Sequence, residues 1–325
     1  MEDHQDIARI LQRYRRFLIA SHVLPDGDAI GSTLGLGLGL LKTGRQAILA
    51  CPGGAPDSLS FLPGVNRIVT PERIAGEFDV VVVLDSSDLD RIEGIAERIT
   101  PGTPVVNIDH HITNKAYGTY NYVDPAAAAV GEQIYKILTA MHINVDQDMA
   151  VCLFTAIATD SGFFRFSNTS SATLRIAARL VEKGAEPFRI SEQVYETKSL
   201  ASLKILGRVL DTLQVDDTGK VAWVEVRREW LSEFGLDEGQ TEGFVNYPRM
   251  VKGVEVALLF RESAEGKVRV GMRSRGDFDV SGLAEVFNGG GHPRAAGCSL
   301  DARSLEEARR DVLRKVYDMM GMAKE

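Results

Sequence analysis

Two hydrophobic periods alternate along the first half of the chain. Ile7, Ile10, Leu11 and Tyr14 recur at helical spacing. Phe17–Ser21 is a short apolar run, closed by the turn-like Pro25-Asp26-Gly27-Asp28. A helix is predicted from Ala29 to Thr43, stopping at Gly44. Ala47–Cys51 reads as a strand, and so does Val80-Val81-Val82-Val83-Leu84, a β-branched run of the kind covered on both faces of a sheet. Pro104–Asp109 is another such strand, and helical stretches follow near Ala126–His142, Gln147–Asp160 and Ser171–Gly184. Strands separated by helices predict an α/β fold with a mostly parallel sheet flanked by helices.

Beyond this the pattern changes. Ser199–Leu213 reads as a connecting helix with Leu203, Leu206, Leu210 and Leu213 on one face. Val221–Val226, Val254–Phe260 and Val268–Met272 are strands at closer spacing, with helices at Val280–Phe287 and Leu305–Met319. The expected organisation is a domain over residues 1–190, a connector over 191–213 and a smaller α/β domain over 214–325.

Composition narrows the functional classes. The 325 residues are 44% hydrophobic and 25% charged, ordinary for a globular chain. No apolar run approaches a membrane span, and the start has no leader-like pattern, so no membrane partner is expected. Cys51, Cys152 and Cys298 are too few and too scattered for a disulfide framework, which points to a reducing cytoplasm. A net charge of −8 disfavours long duplex DNA as a partner. Small anions remain compatible, because bound metal reverses the local sign. Glycine, at 31 residues, is enriched, and much of it falls in Gly27–Gly39 and Gly289–Gly297.

Ligands in an open parallel sheet collect beyond the carboxyl ends of the strands. Three predicted strands run into candidate metal ligands there: His22, Asp85, and Asp109-His110-His111. Asp26 and Asp28 sit in the turn after His22, and Asp160 ends a predicted helix just before Ser161-Gly162. Carboxylates with imidazoles suit Mn²⁺, Mg²⁺, Zn²⁺ or Fe²⁺. Singly, each has a plainer reading: Asp28 as the helix N-cap, Asp85 as a turn residue, a histidine as a satisfied structural group. Their coincidence at element ends favours a site. Gly35-Leu-Gly-Leu-Gly39 lacks dinucleotide-loop spacing and is read as small residues letting a helix pack closely on the sheet.

Five segments then carry a resemblance. His22-x-x-Pro25-Asp26-Gly27-Asp28, Asp85-Ser86-Ser87, Asp109-His110-His111 and Ala158-Thr159-Asp160-Ser161-Gly162 resemble the motifs of the DHH phosphoesterase superfamily. Gly289-Gly290-Gly291-His292-Pro293-Arg294-Ala295-Ala296-Gly297 resembles the hallmark of its DHHA1 domain. The resemblance covers nearly the whole chain and is nearest to the bacterial nanoRNase branch that also dephosphorylates pAp.

It implies an N-terminal DHH domain, a C-terminal DHHA1 domain and two divalent ions, Mn²⁺ first, with Mg²⁺, Co²⁺ or Fe²⁺ as others. One ion would take His22, Asp26 and Asp85, the other Asp28, Asp85, His110 and Asp160, with Asp85 shared. Asp109 would orient His110, and His111 would serve as general acid while a metal-activated hydroxide attacks phosphorus. The second domain would bind the substrate body through Arg273, Ser274, His292 and Arg294, with Gly289, Gly290 and Gly291 as an anion nest. Alone, that glycine run reads as a tight strand-connecting turn. Arg249 and Arg165 are weaker candidates. Expected substrates are short RNA oligonucleotides and phosphorylated nucleotides. Cleavage of cyclic di-AMP or pApA is the alternative activity, a non-catalytic nucleotide sensor the alternative class, and a homodimer is left open.

Overall fold

The computed structural model describes residues 2–263, 266–302 and 304–322, and divides into two compact units, Met1–Thr197 and Lys198–Glu325.

The first unit contains α1 (His4–Gln12), β1 (Arg16–Ala20), α2 (Gly27–Lys42), β2 (Gln46–Ala50), β3 (Ile68–Val69), β4 (Val80–Leu84), β5 (Val105–Asp109), β6 (Tyr120–Val123), α3 (Val130–Ala140), α4 (Gln147–Asp160), α5 (Ser171–Glu182) and α6 (Pro187–Tyr195). Its six strands are all parallel, in the order β3-β2-β1-β4-β5-β6. Every residue of β4 is buried, because the strand lies inside the sheet and both its faces are covered. Val80, Val82 and Leu84 join the core shared with the helices. Val81 and Val83 pack on the opposite face against Ile74, Ile92 and Ile95, which flank short 3₁₀ turns.

The second unit contains α7 (Leu200–Asp211), β7 (Gln214–Val215), β8 (Val221–Val226), α8 (Arg228–Phe234), a 3₁₀ segment Glu238–Val245, α9 (Asn246–Met250), β9 (Val256–Glu262), β10 (Val268–Ser274), α10 (Val280–Glu285), β11 (Gly290–His292), β12 (Ala295–Leu300) and α11 (Leu305–Met319). Its sheet runs β11-β12-β10-β9-β8-β7 and is antiparallel except for the β8–β9 pair. Met272, Leu258 and Val270 face α10 and α11, while Val224, Val226 and Leu259 face α7.

Several elements differ from the sequence reading. Helix α2 begins at Gly27 rather than Ala29, because Asp26 caps it. Strand β6 escaped notice because Tyr-Asn-Tyr-Val offers only a weak apolar run. The second glycine cluster, read as a turn or nest, is a strand pair. No described helix is long and apolar enough to cross a membrane.

Candidate metal centre

The strand order creates the site. From β1 the chain moves outward to β2 and β3, then returns to the other side of β1 at β4. At such a reversal, the connections leaving two neighbouring strands diverge and open a crevice at their carboxyl ends. His22 follows β1, Asp85 follows β4, and Asp109 closes β5 with His110 and His111 beyond it.

The α2 turn supplies two carboxylates with different tasks. Asp26 Oδ1 accepts from the amides of Asp28 and Ala29, both at 3.0 Å, and so caps α2. Asp28 is thereby left to point inward, fully buried. Its oxygens accept from the amides of Val130 at 2.6 Å and Gly131 at 2.9 Å, at the start of α3, and from the Ser32 hydroxyl at 2.8 Å. Burial pushes the Asp28 carboxyl well above its ordinary value, and the Asp85 charge adds to this.

Asp160 arrives by helix packing. Helices α2 and α4 run antiparallel in close contact through a glycine stripe. A Cβ on Gly27 would stand 2.4 Å from Thr159, one on Gly31 2.5 Å from the Cys152 carbonyl, and one on Gly35 2.5 Å from Leu153. This stripe therefore packs on a helix; only Gly37 meets the sheet, at Leu49. The result puts the C-terminal Asp160 of α4 beside the N-terminal turn of α2.

Asp85 is the centre. Its φ of +55° is the left-handed region, a costly conformation for a non-glycine residue, held here by its amide bonding to the Ile108 carbonyl at 3.0 Å. His22 Nε2 lies 3.4 Å from its Oδ2, and His110 Nε2 lies 3.6 Å from its Oδ1. His110 Nε2 is also 3.4 Å from Asp160 and 3.9 Å from Asp28. Burial alone would raise the Asp85 carboxyl, but His110 and His22 outweigh it and hold it well below the usual range. Asp160 is pushed up to about 7 by burial, with His110 opposing and Asp26 and Asp85 reinforcing. Burial would lower His110, yet Asp85 and Asp160 carry it well above the ordinary imidazole value.

Both candidate ligand imidazoles are aimed from behind. His110 Nδ1 donates to the Ala127 carbonyl at 3.2 Å and His22 Nδ1 to the Val23 carbonyl at 2.8 Å, so each directs Nε2 at Asp85. The expectation that Asp109 orients the His110 ring is corrected. Asp109 Oδ1 reaches His110 only at its backbone amide, at 2.8 Å, and grips the His111 ring at Nδ1, at 2.7 Å. The reason is direction: the His110 ring turns across the sheet edge toward Asp160, away from the residue preceding it.

A divalent cation suits this set. His22, Asp26 and Asp85 offer ligand atoms within 4.8 Å of one another, as do Asp28, His110 and Asp160. Asp85 Oδ1 is buried without a hydrogen-bond partner, and a buried carboxylate oxygen left so is costly unless a cation takes it. Sequence reasoning missed Arg91, whose Nη2 is 3.3 Å from His22 Nδ1, and Asn114, which bonds Asp109. Arg91 ends a short 3₁₀ turn and Asn114 lies in an irregular loop, where no periodicity marks either.

In the second unit, Ser274 donates to the Pro293 carbonyl at 3.2 Å and its amide to the Arg294 carbonyl at 3.1 Å, joining the end of β10 to the β11–β12 turn. Arg273 pairs with Ala295 across the ladder, and His292 is paired with the same residue from β11. The glycine run is a strand and not a turn. Gly290 and Gly291 are extended strand residues preceded by Gly289, and their close approach explains two of the three. A Cβ would meet the Gly297 oxygen at 2.2 Å from Gly289 and the Ala295 oxygen at 2.5 Å from Gly291; Gly290 faces open space. Arg249 lies on α9, whose Tyr247 packs on the α7 side of the sheet. Arg165 Nε is spent on the Gly162 carbonyl at 2.7 Å.

Residues 16–157 match the model for the DHH family, N-terminal domain, and residues 217–318 that for the DHHA1 domain. The protein named bifunctional oligoribonuclease and PAP phosphatase NrnA from Thermus thermophilus is 33% identical over 306 residues, 94% of this chain and 90% of that one. Its namesake from Bacillus subtilis is 30% identical over 308 residues, 94% and 95% of the two chains. A crystal structure of an exopolyphosphatase-related protein from Bacteroides fragilis superposes with a TM-score of 0.89 at 29% identity, covering 98% of this chain and 97% of that one.

Proposed function

Because this chain belongs to the DHH family, in the form that carries a DHHA1 domain, and is a metal-dependent phosphoesterase, we propose that it hydrolyses RNA oligonucleotides a few residues long to mononucleotides and pAp to AMP. The names of the Thermus and Bacillus relatives, each shared over nine-tenths of the chain, support this pair of substrates. The observation that carries the reading is the Asp85 carboxylate, buried, strained and flanked by His22 on one oxygen and His110 on the other.

Residues His22, Asp26 and Asp85 would hold one divalent ion, and Asp28, Asp85, His110 and Asp160 the other, with Mn²⁺ preferred. When bound, the ions supply Lewis acidity at the scissile phosphate and a water nucleophile at neutral pH. Asp26, Asp28, Asp85 and Asp160 carry four negative charges, which two divalent ions cancel, so an anionic substrate enters a neutral site. His111 hands a proton to the leaving oxygen, and Asp109 holds its ring at Nδ1. Arg273, Ser274, His292 and Arg294, at one end of the second sheet, hold the rest of the nucleotide, and Arg suits bidentate phosphate contact. Three buried, unpaired cysteines favour a cytoplasmic setting.

The test is one assay with Mn²⁺ on labelled two- to five-nucleotide RNA, pAp and cyclic di-AMP, with Asp160→Ala as control. Fast cleavage of RNA and pAp is expected, with loss in the variant. A dominant rate on cyclic di-AMP would replace the substrate assignment, and full Mn²⁺-dependent activity in Asp160→Ala would remove the metal assignment.

A further inference from the structure

The Ser86 carbonyl, one residue past Asp85, is the acceptor for three side chains. Asn107 Nδ2 donates to it at 3.2 Å, Asn114 Nδ2 at 3.2 Å and the Tyr117 hydroxyl at 2.9 Å. Asn107 Nδ2 also donates to the Tyr117 oxygen at 2.8 Å. Of these three, Asn114 alone continues into the site: its Nδ2 donates to Asp109 Oδ2 at 2.5 Å. Asp109 is fully buried, and its other oxygen accepts from His111 Nδ1 at 2.7 Å and from the amides of His110 and His111 at 2.8 and 3.3 Å. Asn114 is itself fixed. Its Oδ1 accepts from the Ala116 amide at 2.7 Å, and its amide donates to the His111 carbonyl at 3.2 Å.

We propose that Asn114 is a positioning residue for proton delivery by His111, acting through Asp109. The inference rests on the phosphoesterase reading above. A carboxylate bonded along one edge only can swing about its Cβ–Cγ bond. The Asn114 donor on the far oxygen removes that freedom, so Asp109 presents Oδ1 to Nδ1 in one orientation and His111 presents Nε2 in one direction. The bond to Ser86 ties this relay to the loop carrying Asp85, which sets the spacing between the imidazole and the shared carboxylate; His111 Nδ1 is 3.6 Å from Asp85 Oδ1. In the step served, the oxygen of water forms a bond to phosphorus. The bond to the leaving oxygen breaks with its electron pair staying on that oxygen, which takes the Nε2 proton, while the proton lost by water passes to solvent.

A role in delivering a proton differs from a role in holding a loop by its dependence on the leaving group. Asn114→Ala removes the donor. Asn114→Asp keeps the size and the Oδ1 bond to Ala116 but replaces the donor with an acceptor, so the pair separates loss of the loop from loss of the bond. On a dinucleotide, whose leaving alkoxide needs the proton, kcat is expected to fall about a hundredfold in both variants, with KM within about threefold. On a nucleoside 5′-(p-nitrophenyl phosphate), whose leaving group departs as a stable anion, the fall is expected to stay below about fivefold. Mn²⁺ titration should be unchanged, since neither variant removes a ligand. In metal-free protein, the exchange-protected His111 Nδ1 proton signal should broaden in both.

Equal losses on the two leaving groups, weakened Mn²⁺ binding in both variants, or an unchanged His111 signal would overturn the proposal. Failure of the phosphoesterase reading would show separately, as an inactive unmodified protein whose His111 signal still responds to Asn114.

Discussion

A Cβ added to Gly31 of α2 would stand 2.5 Å from the Cys152 carbonyl of α4 and 3.0 Å from the Ala156 side chain. Backbone cannot yield as a flexible side-chain tip can, so the helices must separate. Asp28 rides on one and Asp160 on the other. Gly31→Ala is expected to destabilise the fold by about 1–3 kcal/mol in denaturant titration and to weaken Mn²⁺ binding as well. Gly207→Ala, on the exposed side of α7 with nothing near its Cβ, is the control; it should be neutral or stabilising by up to about 1 kcal/mol with metal binding intact. Unchanged metal binding in a destabilised Gly31→Ala protein would separate helix packing from the site.

The sequence carried the candidate ligands further than it carried their second partners. His22, Asp85 and His110 were legible because parallel strands announce themselves as continuous apolar runs, and the residue after each run is forced to the sheet edge. Asp160 was legible as the last residue of an apolar helix. The switch point between β1 and β4 was not, because strand order depends on crossovers that apolar patterning does not encode. Nor was the division of labour between Asp26 and Asp28: either spacing can cap α2, and the tertiary position of the α3 N-terminus decides which one turns inward. The glycine run before β12 misled for a related reason. Small residues mark close approach, and only the register shows that the approaching group is the chain's own Gly297 and Ala295 carbonyls.

Metal loading should be steeply dependent on pH. Burial pushes Asp160 up to about 7, so the free protein holds this carboxyl largely protonated below that value. His110 is also held charged, since burial is outweighed chiefly by Asp85. A cation needs the carboxylate ionised and the imidazole neutral, so binding must expel protons. Apparent Mn²⁺ affinity is expected to fall as pH drops through about 7 and to rise on the alkaline side. Calorimetry in buffers of different ionisation enthalpy should show net proton release on Mn²⁺ addition near neutrality. Proton-neutral binding at that pH would contradict the electrostatic description of the cluster.

Arg91 brings a fixed positive charge to a site otherwise crowded with carboxylates. Its carbonyl accepts from the Val23 amide at 2.8 Å, and its Nη2 lies 3.3 Å from His22 Nδ1. The side chain cannot serve as a ligand, and the His22 Nδ1 proton is already committed to the Val23 carbonyl. A guanidinium so placed suits a substrate phosphate. Arg91→Ala is expected to raise KM about tenfold or more, the value of a charge-assisted hydrogen bond of about 1.5–3 kcal/mol, with a smaller change in kcat. Arg91→Lys should recover part of the loss. An unchanged KM with a lowered Mn²⁺ affinity would instead assign Arg91 to holding the His22 loop.

The glycine run in the second unit allows folding and binding to be told apart residue by residue. Gly291 has a φ of +145°, and a Cβ there would meet the Ala295 oxygen at 2.5 Å, so Gly291→Ala should break the β11–β12 pair and lower stability. Gly290 has no positive φ and no heavy atom within 4 Å of its Cβ position, so Gly290→Ala costs the fold almost nothing. Strand β11 is an edge strand of the second sheet. If a nucleotide phosphate or base lies against that backbone, the added methyl stands in its way. Gly290→Ala should then keep the unfolding midpoint of the unmodified protein and raise KM for short RNA severalfold, while the rate at saturation holds. A Gly290→Ala protein with unchanged KM on every substrate would leave the glycines a purely architectural role.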